Sequence, residues 1–181
     1  MNQDVAPSEM RRAVRLAVWA GLMALGAWTA LPVGPVPITL QTFFILLAGF
    51  VEGPSAAVAA LIYLAAGLLG LPVFAGGVAG PALLFGPTAG YALSYPLAAA
   101  LAGVSKRVPF GPDWLRLLVC GLAASILILL CGSVGLMIVR GFEPAAALTF
   151  NAVFLPGDAL KTAAAVAAAV GLKRRRSGRV G

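Results

Sequence analysis

The 181-residue chain has no histidine and only two cysteines. The first absence removes the side chain most often used as general base and metal ligand. The second leaves too few thiols for a zinc or iron–sulfur site. Cys120 and Cys131 share one apolar run, and the helix between them would hold them roughly 16 Å apart, beyond the ~7 Å that a disulfide spans. Acidic residues number six, and Glu52, Asp113 and Glu143 are scattered along the chain. There is no GxSxG, no GxxxxGK(S/T) and not even a Gly-Lys dipeptide. Neither a nucleophile elbow nor a Walker loop for ATP is therefore available. No catalytic residue, metal site or cofactor is expected, and binding or transport is the better reading.

Charge is the next scarcity. Charged residues make up 10% of the chain, where soluble domains carry about 25%. Hydrophobic residues make up 61%, and mean hydropathy is +0.98. A water-soluble domain cannot bury that much apolar surface, so the expected class is an all-α integral membrane protein. The start MNQDVAPSEMRRAVR is polar and then basic, and no small-residue cleavage site follows a short apolar core. It reads as the lead-in to a retained span, not as a cleavable signal.

What is present is rhythm. Gly-Pro dipeptides at 34–35, 53–54, 80–81, 86–87 and 111–112 punctuate the apolar sequence, and Gly-Pro breaks helices. The runs between them predict six spans, about 13–31, 39–52, 55–71, 84–104, 115–139 and 157–172. The stretch 144–155 is too short for a hydrocarbon core that needs about 20 residues. It is expected as a re-entrant or surface helix opening at Pro144. Spans two and three are short as well, which predicts tilt or local thinning of the bilayer. The organisation is then an N-terminal tail, 1–12, a six-transmembrane-helix bundle, 13–172, and a basic tail, 173–181.

A net charge of +7 raises the question of nucleic acid, but its distribution argues against that partner. Arg11, Arg12 and Arg15 precede the first span, and Lys173, Arg174, Arg175, Arg176 and Arg179 follow the last. With both termini cytoplasmic, eleven of the thirteen cations fall inside and only Arg140 and Lys161 outside, as the positive-inside rule expects. Contact with anionic lipid is a secondary role for such ends. The loops 32–38, 72–83 and 140–156 then all lie on the outer face. Irregular backbone at membrane depth is tolerated where it lines a cavity, so an outward-facing site roofed by these loops is expected.

Four features carry chemistry. In "FLPGDALKTAAA" (154–165), Asp158 and Lys161 stand three apart on one helical face. The pair reads as a helix-start carboxylate with its partner, as a ligand anchor, since ionisable groups are costly within spans, or as both. In "FAGGVAGPALLFGPTAGY" (74–91), Gly76 and Gly77 offer backbone donors at close approach, or the segment is a plain connection. In "VPITLQTFF" (36–44), Thr39, Gln41 and Thr42 either bond within the bundle or meet a ligand. Ala13, Ala17, Ala20 and Ala24 form a small-residue stripe that suits close approach by a partner or by another helix of the same chain.

"PVPITLQTFFILLAG", "GLPVFAGGVAGPALLFGPTAGY" and "FLPGDALK" together resemble the BioY family, over about residues 13–172 and in the family's motif order. The chain has GPTAGY where the family often has GPTGGY, Ala89 replacing a glycine. The family comprises the biotin-specific substrate-binding (S) components of energy-coupling-factor (ECF) vitamin transporters. The resemblance implies an S-component fold of six helices and a multi-pass protein of the bacterial cytoplasmic (inner) membrane. It implies biotin as transported substrate, held near the outer surface. Asp158 then accepts from the ureido N–H groups. Lys161, Arg140 and the N–H groups around Gly76 and Gly77 are the local donors for the ureido oxygen and the carboxylate. Phe74, Tyr91 and Phe154 pack on the apolar ring, and Thr39 and Gln41 complete the expected site. Partners follow from the missing Walker loop: a transmembrane coupling subunit, for which Ala13, Ala17, Ala20 and Ala24 are candidate contacts, and ATPase subunits. A homo-oligomer working without them is the other arrangement.

The rivals are an S component for another vitamin such as thiamin or riboflavin, a structural membrane protein with no small ligand, and an intramembrane enzyme. An aromatic content of 8% disfavours the larger flat vitamins. The absent histidine and unclustered acids disfavour the enzyme.

Overall fold

The computed structural model describes residues 5–177, with side chains from 8 to 175. Residues 1–4 and 178–181 of the expected tails, Arg179 among them, lie outside the described residues. Seven α-helices follow in order: α1 (Val5–Trp28), α2 (Gln41–Glu52), α3 (Ala56–Leu68), α4 (Ala89–Val104), α5 (Asp113–Arg140), α6 (Pro144–Ala152) and α7 (Leu155–Ser177). Short 3-10 turns at Gly53–Ser55, Ala75–Gly77 and Gly80–Phe85 join some of them. Among the described residues the β structure is one isolated bridge, Leu31 to Ile38. The all-helical expectation therefore holds.

All five Gly-Pro pairs fall outside the α-helices. Proline pushes the preceding residue away from helical geometry. At Gly34, Gly53, Gly80 and Gly111 the glycine answers with φ between +61° and +72°, a region closed to most side chains. The consequence is largest at Gly53. The apolar stretch Gln41–Leu68 is 28 residues of nearly unbroken helix by composition, yet Gln41 Nε2 donates to Tyr63 Oη at 2.7 Å. A straight helix would hold those residues about 33 Å apart. The stretch is a hairpin of two short helices, α2 and α3.

Asp113–Arg140 and Leu155–Arg175 are long and apolar enough to cross a membrane as single helices, whereas Ala89–Val104 is apolar but shorter and the hairpin's arms are 12 and 13 residues. Three boundaries differ from the sequence reading by five residues or more, one of them the end of α7, which continues to Ser177 past the expected 172. Helix α1 begins by Val5, well before 13. Helix α4 begins at Ala89, not 84, because Gly86-Pro87 holds the chain extended ahead of it (Gly86 ψ 163°). The expected short helix at Pro144 is α6, nine residues long, with Ala147 and Asn151 buried.

Helix α4 sits centrally, against α2, α3 and α5; α1 covers α2 and α3, and α7 lies against α2 and α5. Backbones meet where α4 crosses α5. A Cβ on Gly90 would stand 2.2 Å from the carbonyl oxygen of Cys131, so only small residues permit this approach. The two ends of the bundle differ in chemistry. One gathers charge: Arg15 pairs with Glu52 at 3.3 Å, Lys106 donates to the Val51 carbonyl, and Asp113 pairs with both Arg116 and Lys173. At the other end the loops gather, tied in part by Trp28 Nε1 donating to the Pro72 carbonyl at 3.0 Å.

Candidate ligand-binding site

A narrow cavity of about 50 Å³ opens among these loops. The first loop and the head of α2 supply Val36, Pro37, Thr39, Gln41 and Thr42. The α3–α4 connection adds Phe74, Ala75, Leu83 and Thr88. Tyr63, Tyr91, Ala92, Tyr95, Ile128 and Leu129 form the floor, and Phe154, Asp158 and Lys161 close the side.

Asp158 lies in the first turn of α7, where the helix dipole favours a carboxylate. Its amide donates to the Phe154 carbonyl at 2.8 Å. Lys161, one turn on, donates from Nζ to Oδ1 at 2.8 Å. Both side chains are nearly enclosed, at 6% and 12% exposure. Thr162 fixes the turn from behind: its hydroxyl donates to the Asp158 carbonyl at 2.7 Å and lies 3.2 Å from Ser125 Oγ on α5. A buried charge persists only when paired and hydrogen-bonded, and each of these two is the other's partner. Lys161 uses one of its three donors on Asp158, so donor capacity remains on the cavity side.

All three tyrosines of the chain line this cavity. Their hydroxyls are held by two amide hubs. Gln41 donates to Tyr63 Oη at 2.7 Å and accepts from Tyr95 Oη at 3.3 Å. Asn151 accepts from Tyr91 Oη at 2.5 Å and donates to Ser133 Oγ at 2.6 Å and the Leu129 carbonyl at 3.2 Å. Asn151 thereby ties α6 to α4 and α5. The rings pack on one another as well, Tyr63 edge-on to Phe74 at 5.5 Å and Phe154 against Phe150 at 5.5 Å. Glycines make room for them: a Cβ on Gly132 would stand 2.2 Å from the Tyr91 ring. The result is a box of mixed polar and apolar lining with one ion pair in its wall. Among the described residues no group of His, Cys, Asp and Glu could hold a metal ion.

Seven of the ten expected binding residues line this cavity: Asp158, Lys161, Phe74, Tyr91, Thr39, Gln41 and Phe154. The other three lie elsewhere. Gly76 and Gly77 are exposed beyond Phe74, and the Gly77 amide is already given to the Phe74 carbonyl at 3.0 Å. Arg140 is exposed at the end of α5. The alanine stripe divides: Ala13 and Ala17 are exposed, Ala20 is buried in the core, and Ala24 is half-buried against it. Sequence reasoning missed Tyr63, Tyr95 and Asn151 as parts of the site. The available signal was a polar head inside an apolar run, which must find a partner in the bundle.

A model of the BioY family matches residues 1–178 of this chain. A probable biotin transporter BioY of Pyrococcus horikoshii is 45% identical over 92 residues, 50% of this chain and 57% of that protein. The chain thus spans a little over half the length of that relative. A biotin transporter BioY of Rhodobacter capsulatus is 35% identical over 171 residues, 83% of this chain and 87% of that protein. Among solved structures, the S component for biotin from an ECF-type ABC transporter superposes with a TM-score of 0.86 at 27% identity, covering 96% of this chain and 95% of that one.

Proposed function

We propose the function from this membership: the chain belongs to the BioY family, and it captures biotin as the substrate-binding S component of an ECF-type vitamin transporter. The observation that carries the reading is the enclosed Asp158–Lys161 pair set into an aromatic box. Biotin presents a ureido group, an apolar thiophane ring and a valerate carboxylate. The Asp158 carboxylate accepts from the ureido N–H groups, and Lys161 donates to an oxygen of the ligand. Phe74, Tyr91 and Phe154 cover the thiophane ring. Gln41 shapes the wall, because its amide is already engaged by two tyrosines.

The chain crosses a bacterial cytoplasmic membrane six times, with both termini inside and the cavity outside. Its cation distribution supports that orientation. It carries no Walker loop, so concentrative uptake needs a transmembrane coupling subunit and ATPase subunits. Ala13 and Ala17, being exposed, are the part of the stripe available to the coupling subunit.

The test is equilibrium binding of labelled biotin to the purified chain in detergent, with excess thiamin and riboflavin as competitors. Saturable binding that neither competitor displaces is expected. Displacement by either vitamin, or no binding by folded protein, would overturn the reading.

A further inference from the structure

Helices α5 and α7 touch at two levels. Ser125 meets Thr162 near mid-depth, and Asp113 pairs with Lys173 at the charged end. Between those levels they part, leaving a second cavity of about 480 Å³. Trp114 and Leu118 of α5 form one wall. The other is a single face of α7, Ala163, Val166, Ala167, Val170 and Gly171, ending in Arg174. The small side chains of α7 create the gap.

We propose that this groove seats one anionic phospholipid, an acyl chain lying along α7 and the phosphate on Arg174. Three observations fix the occupant. From Ala163 to Arg174 the groove runs roughly 16 Å, about half of a ~30 Å hydrocarbon core, which is the depth of a single leaflet. Arg174 is exposed and makes no hydrogen bond or ion pair among the described residues. The nearby carboxylate, Asp113, is taken by Arg116 and Lys173. Trp114, 54% exposed at the same level, is the residue type that sits at headgroup depth. A second copy in the same bilayer would bring its own Arg174 and Arg175 to that depth, cation against cation.

Native mass spectrometry of the purified full chain in detergent tests this. The protein is offered phosphatidylglycerol and phosphatidylcholine with identical acyl chains at equal concentration. One phosphatidylglycerol per chain is expected to survive in preference. Arg174→Gln, a change at an exposed site, is expected to cut the preference about fivefold, the worth of one cation at a membrane surface. Gly171→Leu narrows the groove from a position where a Cβ meets nothing within 4 Å, and is expected to cut retention of both lipids severalfold. Circular dichroism and gel filtration confirm that both variants fold. Equal retention of the two lipids by the parent, or unchanged retention in Gly171→Leu, would overturn the proposal. A dimer mass that Gly171→Leu removes would assign the groove to a second copy and overturn it equally.

Discussion

The molecule contains the same local device twice. Asp113 and Arg116 open α5, and Asp158 and Lys161 open α7, each an aspartate in the first turn with a cation three residues on. The spacing and the favourable helix dipole are common to both. The surroundings are not. The Asp113 and Arg116 side chains are 40% and 25% exposed, and Lys173 from another helix joins them. Asp158 and Lys161 are 6% and 12% exposed, with no other ion-pair partner among the described residues, against the loop-end cavity. The first pair trims a charged end of the bundle. The second is costly to hold and faces the cavity proposed to take the ligand. Burial, not spacing, separates the surface pair from the one proposed to meet the ligand.

The largest effect is expected from breaking the buried pair. Asp158→Asn leaves the Lys161 ammonium enclosed and unpaired, a loss of about 3–5 kcal/mol, and it removes the proposed ureido acceptor. Its thermal midpoint in detergent should fall sharply, and labelled biotin should no longer bind at concentrations that saturate the parent. The double variant Asp158→Asn/Lys161→Met carries no enclosed charge, so it should recover most of the lost stability while binding stays absent. If the double variant binds biotin, the pair is structural after all and the contrast with Asp113 collapses.

A smaller effect is expected from the neutral hub beside that pair. Asn151→Leu strands the hydroxyls of Tyr91 and Ser133, at about 1–3 kcal/mol for each unpaired buried group. It also loosens α6 from α4. Biotin should bind about tenfold more weakly, a change of ~1.4 kcal/mol, with the ion pair intact. An affinity equal to the parent's would mean that α6 takes no part in shaping the cavity.

The alanine stripe of α1 repeats the lesson without charge. Ala20→Trp overpacks the core and should cost about 1–3 kcal/mol, seen as a lower melting midpoint of the isolated chain. Ala13→Trp sits on an exposed surface and should leave that midpoint alone while abolishing co-purification with the coupling subunit. Equal melting of the two variants would mean that the stripe does not divide between core and surface.

Sequence made the Asp158–Lys161 pair visible because charge is so rare in a chain with six acids and thirteen cations. Gly-Pro punctuation likewise marked the turns, because proline constrains the residue before it wherever the chain goes. What stayed hidden depended on distant partners. The Gln41 hub joins residues 22 and 54 positions away, and Asn151 reaches Tyr91 across 60. No local pattern encodes those meetings. Direction was hidden too. Gly76, Gly77 and Arg140 have suitable chemistry, but which way each faces depends on how the loop and α5 end, and they lie outside the cavity lining.

The smallest effect belongs to the exposed pair, and salt distinguishes it from the buried one. Asp113→Asn removes an acceptor shared by Arg116 and Lys173, but such surface pairs contribute little. Biotin binding should be unchanged and the melting midpoint only slightly lower. That slight loss should shrink as salt is raised, because the screening length falls from about 30 Å at 0.01 M to about 3 Å at 1 M. The loss in Asp158→Asn should persist at both salt concentrations, because ions do not reach the enclosed Lys161. Melting both variants at low and high salt therefore gives four midpoints. If the Asp158→Asn loss vanished in salt alongside that of Asp113→Asn, the two pairs would share one environment and Asp158 would have no claim to the ligand.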